Sequence, residues 1–201
     1  MANLDQVNGL RPVRTFGASQ YFGRTEVFYK AAGTTVTDDL FVGDPVIFSG
    51  TADATTGRAG ISRATVTGTT NTGPILGIIV GFELRDTNNL DRNWVDGADA
   101  AYVLVDVDPM TVYEVQADEA VAITSVGLNG NLISVAGSRT TGCSDVELDV
   151  TSVSGTGNAT YQVKVVGFPQ RSDNEINATY NKVLVMINNH VLKAHTGTAG
   201  I

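Results

Sequence analysis

No run of ten residues in this chain repeats its apolar side chains at helical spacing, whereas alternations of apolar and polar residues recur along most of it. A helix needs an apolar side chain every three to four residues to face a core; a half-buried strand needs one every second residue. Asp145–Val150 shows the second pattern: Val146, Leu148 and Val150 alternate with Asp145, Glu147 and Asp149, which predicts a strand with one wet face. The composition agrees. Twenty-six valines, 24 threonines and 22 glycines fill over a third of the 201 positions. β-Branched residues lose rotamer freedom in helices and suit pleated surfaces, and glycine supplies the turns between strands. The expected fold is all-β, an antiparallel barrel or sandwich-like body with little helix.

Strands are expected along Glu26–Lys30, Val46–Phe48, Ile75–Gly81, Ala101–Asp108, Thr111–Ala117, Thr160–Val166 and Lys182–Asn188. Ile75–Gly81 and Lys182–Asn188 are apolar at both parities, which marks strands covered on both faces and, with the low charged fraction of 17%, an assembly of several copies. Gly43-Asp44-Pro45 predicts a turn. Asn129-Gly130 predicts a type I′ hairpin turn between Val121–Val126 and Asn131–Val135, because that turn needs positive φ at both central residues. Residues 49–73 are small and polar and read as a long exposed hairpin or loop; 85–100 reads as a second polar loop and 169–181 as irregular.

Residues 1–24 stand apart from the rest. Arg11, Arg14 and Arg24 are interleaved with Leu10, Val13, Phe16, Tyr21 and Phe22, more apolar than a solvated tail requires. The alternatives are a disordered terminus or an extended N-terminal arm that docks on a partner through these eight residues. On the arm reading, removing residues 1–20 should leave the β core folded. Residues 25–192 are then the β-rich body, as one unit or as two divided near residue 120, and 193–201 a flexible C-terminal tail.

The charge balance restricts partners. A net charge of −8 with no basic stripe excludes a nucleic-acid binder and disfavours an anionic membrane surface. The longest apolar stretch, residues 74–81, is far short of the roughly 20 residues that span a bilayer. The first residues carry no secretory signal pattern, and the lone Cys143 can form no internal disulfide, so folding in a reducing compartment is expected.

Little in the chain carries chemistry. His190 and His195 lack the companions a zinc site needs, and the Asp91–Gly97 stretch departs from a calcium loop at its fifth position and at its glycine. Asp106 with Asp108, and Asp145 with Glu147 and Asp149, are the acids that a hydrolase would use, but alternating acids of this kind are expected as the solvated side of an amphipathic strand. No catalytic residue, metal or cofactor is expected.

Several segments together resemble a known group. Asn8-Gly9-Leu10-Arg11-Pro12-Val13-Arg14, Phe41-Val42-Gly43-Asp44-Pro45-Val46, Ile75-Leu76-Gly77-Ile78, Val107-Asp108-Pro109 with Tyr113-Glu114-Val115-Gln116, the Val126–Asn129 turn, Val165-Val166-Gly167-Phe168 before Arg171–Glu175, and the closing Val183–His190 are similar to those of tailed-bacteriophage virion structural proteins, in particular capsid decoration or cement proteins. In that group the closing stretch usually carries an arginine before the isoleucine and a glutamate before the histidine; Met186 and Asn189 stand here instead. The resemblance implies a non-enzymatic protein on the outer capsid surface of a virion, folded in the host bacterial cytoplasm. It also implies a homotrimer whose partner is the major capsid protein. The competing expectations are a tail, baseplate or host-adhesion component, with glycan-binding loops at 49–73 and 85–100, or a glycan-active hydrolase.

Overall fold

The computed structural model describes residues 3–33, 39–68, 73–83, 93–133, 137–154 and 159–193. Its strands, in chain order, are β1 (Arg11–Thr15), β2 (Thr25–Lys30), β3 (Leu40–Phe41), β4 (Pro45–Ala52), β5 (Ala59–Arg63), β6 (Gly77–Glu83), β7 (Trp94–Val95), β8 (Ala101–Asp106), β9 (Thr111–Gln116), β10 (Asn129–Ile133), β11 (Glu147–Ser154), β12 (Val163–Gly167) and β13 (Lys182–Ile187). Among the described residues the helical content is one 3-10 turn at Ile123–Ser125. The protein is all-β, antiparallel and sandwich-like.

Eleven of these strands form two units, and β3 and β7 pair with each other. A five-stranded barrel closes in the order β2-β5-β4-β6-β8. Its pairings are antiparallel except the seam between β2 and β5, where Tyr29 and Gly60 pair in parallel. Leu40, Val46, Ile61, Leu76, Ile79, Val103 and Val105 fill it. The second unit is an antiparallel sheet in the order β1-β9-β13-β12-β10-β11. It curls toward closure, since the outer edge of β11 meets the chain just after β9: Asp118 N donates to Leu148 O at 3.2 Å. Ala64, Val66, Ile75 and Ile78, from the barrel's half of the chain, pack into the sheet's core, so the two units are joined by apolar burial.

The central strand β13 shows how the period-two pattern is used. Val183, Val185 and Ile187 are buried, while Lys182, Leu184 and Met186 on the other face are half-buried. Its apolar residues at both parities do mark the middle of a sheet, but one face remains partly open. The expected turn at Gly43-Asp44-Pro45 forms: Asp44 N donates to Phe41 O at 3.1 Å, Asp44 Oδ2 accepts Phe41 N at 2.9 Å, and Gly43 has φ +98°. A non-glycine residue there would be strained, and its Cβ would lie 2.8 Å from Asn8 O.

Three expectations change, and one pair of alternatives is decided. Asn129-Gly130 is not a hairpin turn but the buried start of β10, where a Cβ on Gly130 would stand 3.0 Å from Leu148 Cδ1 and 3.1 Å from Val153 Cγ2. The glycine serves a close side-chain approach instead of positive φ. For residues 49–73 the structure takes the hairpin alternative in the first part: β4 and β5 pair there, closed by Asp53 N donating to Arg58 O at 2.9 Å, with small residues on an exposed sheet face. The two-unit division follows the β8–β9 turn at residues 107–110 and not residue 120, with β1 crossing back to the C-terminal sheet. Finally, residues 3–15 are not an arm standing off the body. β1 pairs with β9, Leu10 is 1% exposed within the sheet's core, and Leu10 N donates to Gly43 O at 3.1 Å.

Candidate partner-binding surface

The eight N-terminal residues singled out in the sequence divide by burial. Leu10 belongs to the core. Tyr21 turns its ring inward beside Asp106; burial, then the Asp106 charge, pushes its phenol well above the usual range. Arg11, Val13, Phe16, Phe22 and Arg24 are exposed, and Arg14 is half-buried. The structure therefore brings six of the eight to the surface.

β1 is an edge strand carrying a proline and a register shift between Pro12 and Arg14, both of which discourage pairing with another strand. What it offers is side chains. The Arg14 guanidinium lies 5.8 Å from the Phe16 ring centre, a cation–π contact at the surface. Phe16 N donates to Met110 O at 2.8 Å, which places the β1 end beside the β8–β9 turn. Val13, Phe16, Phe22 and Met110 are 39%, 49%, 67% and 43% exposed; the backbone bond above sets Phe16 beside Met110, and Phe22 N reaches Thr15 Oγ1 at 3.5 Å, next to Phe16 in the chain. Arg24 lies 3.6 Å from Asp108 Oδ2 with most of its side chain in water. Met110 carries no sequence signal, since only the β1–β9 pairing brings it to Phe16.

The acids raised as hydrolase candidates hold backbone and side-chain groups in place, Asp108 among them at the border of this surface. Asp106 is fully buried, accepting Tyr113 Oη at 3.0 Å and Asp108 N at 3.1 Å; burial raises its pKa against these bonds. Asp108 Oδ1 accepts Met110 N at 2.9 Å. The pair shapes the β8–β9 turn. On β11, the expected wet face is half covered: Gln116 Nε2 donates to Glu147 Oε1 at 3.0 Å and to Asp5 Oδ1 at 2.9 Å, while Asp149 is 3% exposed.

His190 is buried beside Ile75, with Nδ1 accepting Leu192 N at 3.0 Å, and burial lowers its pKa to about 4. His195, Asp91 and the first half of the 85–100 loop lie outside the described residues; the second half holds β7. Among the described residues no three His, Cys, Asp or Glu side chains are grouped to hold a metal. A cleft of about 370 Å³ opens beside the β2–β5 seam, with the Ser49, Thr51 and Ser62 hydroxyl residues on its wall and Leu40 and Ile61 from the barrel core on its floor. There the Lys30 ammonium donates to the carbonyls of Ala31, Gly97 and Asp99, and Arg63 lies 3.3 Å from Asp44.

No protein-family model, curated protein or solved structure matches this chain. No helix among the described residues is long and apolar enough to cross a membrane. The surface itself thus carries the functional argument.

Proposed function

We propose that the protein is a non-enzymatic capsid decoration protein. It binds the outside of a tailed-phage head and bridges neighbouring major capsid subunits, as a homo-oligomer, with a trimer the symmetry that suits a local three-fold axis. The observation that carries this reading is the exposed Phe16, set beside Met110 and under the Arg14 guanidinium, with Phe22 and Arg24 exposed on the segment that follows. Guanidinium groups beside apolar side chains suit an acidic or polar protein surface, where charge-assisted hydrogen bonds form around a desolvated centre. The net charge of −8 favours an outward position over one facing packaged DNA. The segment is already ordered on the body, so docking it costs less conformational entropy than ordering a free arm.

The test mixes the purified chain with expanded heads assembled from the major capsid protein of its own virus. Co-sedimentation near one copy per binding site is expected, and its loss in a Phe16→Ser/Phe22→Ser variant. A chain that never co-sediments overturns the reading. The hydroxyl-lined cleft at the barrel seam favours the alternative of a host-adhesion part on the tail. Band intensity in purified virions separates the two, since a decoration protein is abundant and a tail component scarce.

A further inference from the structure

The segment between β1 and β2, residues 16–24, carries the exposed Phe16 and Phe22 of the proposed contact, and the body fixes both of its ends. Phe16 N donates to Met110 O at 2.8 Å where the segment begins, and Val107 N donates to Arg24 O at 3.0 Å where it ends. Thr15 N donates to Gln20 O at 3.0 Å and Ala18 N to Thr15 O at 2.9 Å, so the chain doubles back on itself. Gly17 and Gly23 have φ of +84° and +53°, a region that other residues rarely enter.

The middle of the segment is held by one side chain. Gln20, Phe22 and Gly23 are exposed, whereas Tyr21 among them is half-buried and its hydroxyl is shut off from water. The Tyr21 ring lies against Gly23: a Cβ there would stand 3.3 Å from Tyr21 Cε1 and 3.7 Å from Tyr21 Oη. The hydroxyl is directed at Asp106, whose hydrogen-bond partners are Tyr113 Oη at 3.0 Å and Asp108 N at 3.1 Å. Asp108 in turn accepts Met110 N at 2.9 Å and lies 3.6 Å from the Arg24 guanidinium. Phe16, Tyr21 and Arg24 therefore all meet the β8–β9 turn, and of the three only Tyr21 turns inward.

We infer that Tyr21 is the positioning residue of the contact: seated on the β8–β9 turn, it holds the segment in the one conformation that presents Phe16 and Phe22 outward. It touches no partner itself and acts through its two aromatic neighbours. Fixing the Tyr21 ring fixes the backbone from which Phe22 projects, 67% exposed at the next position. A contact presented in one conformation loses less ordering entropy on docking than one that must be frozen there. What the segment meets rests on the decoration reading; that Tyr21 holds it ready is a property of the isolated chain.

Two variants test it. Tyr21→Ala removes the anchor and leaves Phe16 and Phe22 in place. Gly23→Ala sets a strained residue and a methyl group against the ring, and so displaces Tyr21 without altering it or Asp106. Trypsin digestion of the full chain is the first readout: wild type should resist cleavage after Arg24, and both variants should be cut there several-fold faster while their thermal midpoints stay near that of wild type. Head binding is the second. Both variants should reach the wild-type plateau of bound copies but need a several-fold higher concentration for half of it, because the contacting side chains are intact. Far-UV circular dichroism checks folding, and Gly23→Ala carries the test if Tyr21→Ala unfolds. Variants that digest and bind as wild type does overturn the inference, as does faster cleavage at every site together with a lowered thermal midpoint. A wild type that binds no heads overturns the decoration reading instead, and digestion still decides whether Tyr21 orders the segment.

Discussion

The Tyr113 hydroxyl donates to the Asp106 carboxylate at 3.0 Å, and both residues are fully buried. Tyr113 stands on β9 of the sheet and Asp106 ends β8 of the barrel, so this bond fastens the two units at the turn that joins them. Tyr113→Phe should lower unfolding free energy by about 1–3 kcal/mol, the range for losing a buried hydrogen bond to a charged acceptor. Urea denaturation reads it; an unchanged midpoint would show that Asp108 N and the surroundings satisfy the carboxylate alone.

Leu10 tests how far the N-terminal segment belongs to the body. It is 1% exposed among Val115, Val146 and other core residues. Leu10→Ala should cost about 2–5 kcal/mol, the range for truncating a buried leucine. Deleting residues 1–15 should lower the thermal midpoint further, because it also strips β1 from β9. A truncated chain with the wild-type midpoint would restore the picture of a dispensable arm.

Phe16, Phe22 and Met110 should behave in the opposite way. Serine at any of them should move stability by no more than about 0.5 kcal/mol, as for surface positions generally. Head binding by the same variants should fall sharply. Stability loss and binding loss appearing together at these positions would mean that the group is part of the fold.

His190 makes acid sensitivity measurable. The unfolded imidazole takes up a proton near 6.5, whereas the folded one resists until about 4. The unfolded chain therefore binds more protons between those values, and folded stability should fall as pH drops from 6.5 to 4, by up to about 3 kcal/mol. Asp106, Asp145 and Glu147 act in the other direction, since their raised pKa values let the folded chain take protons first as pH falls through the carboxylate range. Comparing wild type with His190→Gln isolates the imidazole. The wild type should lose stability relative to the variant across that window, and parallel pH curves would refute the assignment.

Strand positions were largely legible in the sequence because period-two burial is a local property. Val183, Val185 and Ile187 face the core for the same reason that they alternate with Lys182, Leu184 and Met186. The Gly43-Asp44-Pro45 turn was legible too, since its geometry is set by the residues that make it. Partnership between distant segments was not. Asn129-Gly130 carries the strongest hairpin signal in the chain, yet packing of Leu148 and Val153 over Gly130 decides its conformation. The N-terminal residues showed their mixture of arginine and aromatic side chains in sequence, but which of them dock inward depended on β9 accepting β1 as an edge. Composition alone determined an acidic, all-β chain. Only the tertiary structure decided that Leu10 is core while Phe16 is surface, and that Tyr113 of one unit meets Asp106 of the other. Those placements arise from contacts between residues far apart in the chain, which no local pattern encodes.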